Sequence, residues 1–375
     1  MRWIGAAFLF LATGVSAQPT APRVRIVEEL RLDANVEDFP SVGRIHVGPS
    51  GQIVVPIQAD AQLRIYDASG RKLAVVGRRG AGPGEFTSFG LVGWVHDTMW
   101  ASDLRQRRTT YVGPDHKVLR TESWPGVQYG SAGSYAFMDP VMALPGGDAI
   151  LQGMEVTPAH RRAVLLHRTV DGTQREILVL PASDSSRLIQ VGPFGFGLPF
   201  TLQPQHAFAP SGQHIAQLTA GIPARQDATF HVTVIAITGD TVFSRDYPYR
   251  GIPIPRRAAD SAVAATGPVP GHLINPPADL KERVQAIARE RMPRWYIAPE
   301  TITLGLDQTI WIGMRPTGEE RGYLILNGRG DPIGSLMVPT STRIRQASAT
   351  HIWVTEIDDD GLSSVVRHRV LGLGG

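Results

Sequence analysis

The chain has 375 residues, 42% of them hydrophobic and 19% charged, with 40 glycines, 29 prolines and no cysteine. That length and apolar content suit a sizeable packed core and exclude a disordered chain; the glycine and proline content disfavours long helices, and disulfides cannot contribute to stability. The formal charge is +3 and the isoelectric point about 9.3, yet the arginines are scattered and no long basic run interleaved with aromatics occurs, which excludes nucleic acid as the partner.

Residues 1–17 read MRWIGAAFLFLATGVSA. Arg2, the apolar stretch Ile4 to Val15 and the small residues Val15-Ser16-Ala17 predict a secretory leader cleaved near Ala17. The apolar stretch falls short of the roughly 20 residues a membrane span needs. The expected location is therefore periplasmic or extracellular, with no membrane span in the mature chain and no cysteine to carry a lipid.

From residue 18 onward the pattern is one of repeats. A turn, a short strand and a tryptophan recur as Asp97-Thr98-Met99-Trp100, Gln308-Thr309-Ile310-Trp311 and Thr350-His351-Ile352-Trp353. A second phrase follows: an apolar strand, a tight turn, then another strand, as in "RIYDASGRKLAVV" (64–76) and "LILNGRGDPIGSLMV" (324–338). The glycines in these turns accept positive φ cheaply and mark hairpins. Several units close on a proline, at Pro125, Pro181, Pro248 and Pro339. Tyr66 and Tyr111 stand about 45 residues apart, the length of one propeller blade.

These units predict an all-β fold, a six-bladed β-propeller of four-stranded antiparallel blades in one domain over 18–375. The blades begin near Phe39, Phe86, Tyr135, Phe200, Tyr296 and Ile344. The last unit is one strand short, and "VRIVEELRL" (24–32) supplies that strand and closes the ring. The long stretch between Tyr249 and Tyr296 leaves room for a seventh blade. It reads instead as an insertion, with one helix near 277–292 placing Leu280, Val284, Ile287 and Ala288 on a single face.

The loop "GRRGAGPGEF" (77–86) follows a strand, as a phosphate-binding loop would. It lacks the Lys-Ser or Lys-Thr of a P-loop, and a strand rather than a helix follows it. It is expected to turn the chain from one blade to the next, with Phe86 in the core. The same residues resemble the Gly-Pro-Gly-Glu-Phe connector of secreted bacterial six-bladed β-propellers related to the NHL-repeat proteins. The resemblance extends from about Val24 to Leu371 and is weakest between Ala182 and Pro293. It implies the fold; most members of that group carry no assigned activity.

No His-Glu-x-x-His motif and no Gly-x-Ser-x-Gly elbow is present, and "DDDG" (358–361) lacks the ligands of a calcium loop. The Asp60–Arg64 and Asp103–Arg108 pairs repeat from blade to blade, as residues that pin loops do. Related lyases, lactonases and esterases with six blades hold a metal at the mouth of the central channel. By that resemblance the candidate site residues are Arg44 and His46 in blade one, Trp94 and His96 in blade two, and His206 in blade four. Beside an envelope-assembly or sensor role in which the helix at 277–292 docks another chain, two functions remain in view. One is a non-catalytic, monomeric binding scaffold for a protein, peptide or glycan, with no cofactor. The other is a metal-dependent hydrolase or lyase whose imidazoles converge on a divalent ion, zinc or calcium.

Overall fold

The computed structural model describes residues 21–39, 42–124, 134–157, 161–180, 185–268 and 277–373. The expected leader at 1–17 and the prolines at 125 and 181 lie outside the described residues. Six four-stranded antiparallel sheets follow one another along the chain. Blade 1 comprises His46–Val47, Ile53–Ile57, Gln62–Tyr66 and Lys72–Val76, and blade 2 Phe89–Val95, Thr98–Asp103, Arg108–Val112 and Val118–Ser123. Blades 3, 4 and 5 start from inner strands Ser134–Ala143, Gln205–Phe208 and Pro299–Leu304. In blade 6 the strands Thr342–Ala347, His351–Ile357 and Ser363–Leu371 are joined by the outermost strand, Arg25–Leu32, from the other end of the chain. The ring therefore closes by backbone hydrogen bonds between the two ends, as the missing strand in the last repeat required. The architecture is a six-bladed β-propeller.

The repeated aromatics explain how blades stack. Trp100, Trp311 and Trp353 sit on second strands and are 1%, 0% and 7% exposed. Each packs into the cluster shared with the following blade: Trp100 with Leu165 of blade 3, Trp311 with Val354 of blade 6, Trp353 with Ile53 of blade 1. A sheet alone leaves one face wet; a wedge of indole between neighbours buries both faces and leaves only short edges. Pro248 and Pro339 fall on outermost strands, where one side of the ladder is free and a missing N–H costs least.

Antiparallel alternation puts the connections from each outer strand to the next inner strand on one rim. The "GRRGAGPGEF" loop is one of them. Gly77 has φ +96°, and Phe86 is fully buried beside Phe89 with ring centroids 4.6 Å apart. The Glu85 carboxylate accepts the Gly82 N–H at 2.7 Å and the Arg78 Nε–H at 2.7 Å. The loop satisfies its own donors and holds its shape by them. Arg108 donates to the carbonyls of Ala81 (2.6 Å) and Glu85, while Asp103 accepts from Thr87 N at 2.6 Å. Arg64 likewise grips the carbonyls of Glu37 and Asp38 at the end of the short helix α1 (Ala34–Glu37) and pairs with Asp60 at 3.2 Å. These Asp and Arg residues thus fasten the chain entering blades 1 and 2.

The insertion between blades 4 and 5 contains α3 (Leu280–Glu290), which buries Leu280, Val284 and Ala288. It also contains a second helix absent from the sequence expectation, α2 (Arg256–Ala265), which buries Val263. Both pack with a hairpin, Leu188–Val191 and Phe194–Gly197, from the connection between blades 3 and 4. The helix pair therefore has its own small core on the rim that carries the blade-to-blade connections.

Candidate functional site

The inner strands of all six blades surround a cavity of about 940 Å³ on the propeller axis. Its wall includes Arg44 and His46 from blade 1, Leu91 and Trp94 from blade 2, Gln152 from blade 3, His206 and Phe208 from blade 4, Ile302 from blade 5, and Arg345 and Gln346 from blade 6. Four of the five residues singled out in the sequence thus share one space. His96 does not line it: this exposed residue occupies the turn between the first two strands of blade 2, with φ +53°. The inner strand ends at Val95, one residue before it can present His96 to the channel. Trp94 leans across the seam to blade 1, where a Cβ on Gly48 would lie 2.8 Å from the indole.

Arg345 enters the channel through a defect in its ladder. Ile344 pairs with Val354 and Gln346 with Trp353, so Arg345 is the extra residue of a bulge, and a bulge re-aims the side chain it carries. Its Nε donates to Thr355 Oγ1 at 3.0 Å and its Nη2 to the Val42 carbonyl at 3.4 Å. Arg44 makes only a long contact, Nη1 to the Gly90 carbonyl at 3.5 Å. No aspartate or glutamate is among the described residues of the wall.

The electrostatics follow from that composition. Arg44 is exposed to the channel, and the partial loss of solvation there draws its guanidinium below the usual arginine range. Burial does the same to Arg345, helped by the charges of Arg343 and Arg44 and opposed by Tyr323. Burial, and then the charge of Arg44, pulls the His46 imidazole down to about 3; the same two causes in the same order lower His206. Both imidazoles are neutral at physiological pH. His46 Nε2 and the Nε2 of Gln346, a residue 7% exposed, are buried without hydrogen-bond partners.

The channel is therefore rich in donors, positively charged and partly apolar. Among the described residues no group of three or more His, Cys, Asp or Glu could hold a metal ion. His46 and His206 share the cavity, but the third imidazole expected with them is on the turn, and two guanidiniums oppose a cation there. Arg345 and Gln346 were not singled out in the sequence; only the strand register shows where a bulge falls.

Another cluster lies on the outer two strands of blade 4. His231 Nδ1 is 2.8 Å from Asp246 Oδ1, and its Nε2 is 2.7 Å from Ser244 Oγ. The order of contacts is that of a nucleophilic triad, but His231 and Asp246 are solvent-exposed cross-strand neighbours, an environment that gives the serine no water-excluded pocket.

No protein-family model matches the chain, and neither does any curated protein. Among solved structures it is similar to a member of the DUF4221 family from Bacteroides vulgatus, with 11% identity and a TM-score of 0.52 over 94% of this chain and 99% of that one. It also aligns with virginiamycin B lyase from Staphylococcus aureus, at 12% identity and a TM-score of 0.39 over 92% and 99% of the two chains. A calcium-binding protein, regucalcin, from Agrobacterium tumefaciens aligns at 13% identity and 0.37 over 92% and 95%. The first of these likenesses shows the fold; none shows the chemistry. Among the described residues no helix is long and apolar enough to cross a membrane.

Proposed function

We propose that this protein is an exported, monomeric binding propeller of the NHL-related group, freed of residues 1–17, that acts as an interaction scaffold. Its ligand, a peptide, a glycan or a segment of another protein, enters the axial channel. The observation that carries this reading is the 940 Å³ cavity with two buried nitrogens, Gln346 Nε2 and His46 Nε2, left unpartnered on its wall. A buried polar group without a partner costs about 1–3 kcal/mol, and a ligand that supplies acceptors recovers that cost.

The test is retention of peptide and glycan libraries by the mature protein and by Thr303→Trp, which places an indole in the channel. Ligands held by the parent and lost from the plugged variant support the reading; binding that ignores the plug overturns it. N-terminal sequencing of protein from the cell envelope and the medium checks export, and light scattering checks the monomer. The alternative, a metal-dependent hydrolase or lyase, requires about one tightly held zinc or calcium ion per chain, which elemental mass spectrometry of chelator-free protein measures.

A further inference from the structure

We infer that the axial channel is an oxyanion site, formed by Arg44 and Arg345 with His46 and Gln346, and that its ligand carries a carboxylate, sulfate or phosphate group on an apolar or sugar-like body. This inference rests on the channel-binding reading above and names the chemistry of its ligand.

The geometry begins with the seam between blades 6 and 1. Arg345 reaches across it to the Val42 carbonyl, two residues before Arg44, so both guanidiniums stand on the same side of the cavity. A guanidinium has five N–H donors. Arg44 uses one, at 3.5 Å, and Arg345 uses two, one of them at 3.4 Å. The amide of Gln346 and the Nε2 of His46 add buried groups without partners. The guanidinium N–H groups and the Gln346 Nε2 are donors only, and the wall offers no carboxylate among its described residues.

Two like charges held together with reduced solvation repel, and nothing on the described wall neutralises them. Structural arginines in the same protein behave otherwise: Arg31, Arg162 and Arg321 each sit on a glutamate, and Arg108 is spent on backbone carbonyls. An oxyanion neutralises both cations and accepts several of the free N–H groups at once, with the fork geometry that suits guanidinium. The bulge at Arg345 serves this end, since regular pairing would keep the side chain in register with its neighbours. Leu91, Trp94, Phe208 and Ile302 provide apolar wall for the uncharged part of the ligand, as in small-molecule sites where a few polar groups fix orientation.

Isothermal titration with sodium sulfate and sodium glucuronate, at constant ionic strength set by chloride, tests the inference, with glucose as the uncharged control. The probes are applied to the parent, Arg44→Gln, Arg345→Gln, Arg345→Lys and an arginine outside the channel, Arg250→Gln. The expected result is saturable binding of about one anion per chain, at least ten-fold weaker in Arg44→Gln and Arg345→Gln, partly kept in Arg345→Lys, unchanged in Arg250→Gln, and absent for glucose. Arg44→Gln removes only one long contact, so it remains informative even where Arg345→Gln fails to fold. Absence of saturable sulfate and glucuronate binding, or equal weakening in Arg250→Gln, overturns the inference. If neutral library ligands are nevertheless retained by the parent and lost from Thr303→Trp, the channel binds ligands and only the anion chemistry fails. If no probe, charged or neutral, is sensitive to the channel variants, both readings fall together.

Discussion

His46 gives the most direct measure of how dry and how positive the channel is. Burial first, and the charge of Arg44 second, hold its imidazole at about 3 against an ordinary value of 6.5. Between those values the unfolded chain binds a proton that the folded chain refuses, so folding stability is intact above the unfolded value and declines as the pH falls toward 3. From about pH 7.5 to about pH 5, the unfolded histidine gains roughly 1.5 units of protonation free energy while the folded one gains almost none, a loss of about 2 kcal/mol. For a chain of this size that is roughly 2–3 °C in Tm. The perturbation is His46→Gln, which keeps a polar side chain but cannot titrate. Urea unfolding in chloride buffer at the two pH values should show the parent losing about 2 kcal/mol more than the variant. His206 shifts in the same direction in both proteins and cancels in the difference. Equal losses would mean that folded His46 takes up its proton as readily as the unfolded chain does, and the shielded, positive channel would be refuted.

Other expected outcomes concern the frame. Phe86→Ala empties a fully buried site in the first connector and should cost about 3–5 kcal/mol in urea unfolding. Gly77→Ala forces a side chain into φ +96° with its Cβ 2.7 Å from the Phe86 ring; a loss of at least about 2 kcal/mol is expected, and a neutral result would show that the connector can shift. Arg108→Met strands the carbonyls of Ala81 and Glu85 and should lower stability by about 2–4 kcal/mol while hydrogen exchange rises in residues 77–87. A chain beginning at Asp33 lacks the outermost strand of blade 6; gel filtration should show association through the exposed edge of Ser363–Leu371, and a monomer with an unchanged Tm would contradict the closure.

Much of the frame could be read directly from the residues. Period-two strands, glycine hairpins and a tryptophan at a fixed place in three of the six units are local signals, and each recurs because the blades solve the same packing problem. Trp311 is buried wherever its strand is flanked by a neighbouring sheet, so its role follows from the repeat itself. The same logic identified Phe86 as a core residue, since a glycine-rich connector ending in an aromatic has only the next blade to fill. The closing strand was legible because one unit lacked a partner that the chain's other end could supply. The rim insertion was legible only in part: α3 has a clean apolar face, whereas α2 buries Val263 alone among its residues, and its helix gains its stability from α3 and the hairpin at 188–197.

The channel is where sequence stopped being sufficient. His46, Trp94 and His206 belong to inner strands and Arg44 stands two residues before one, so strand order brings them to the axis. His96 lies one residue beyond the end of such a strand, and that boundary is set by where the turn closes. Arg345 and Gln346 differ from many other polar residues only in register: one slipped pair between Ile344 and Gln346 decides which side chain faces the cavity. By itself the sequence determined the repeating unit, its number and the closure, because those depend on local patterning and on burying sheet faces. Tertiary structure alone decided the chemistry of the axis, because charge and unspent donors gather there from residues about 300 positions apart, and no local pattern records which of them meet.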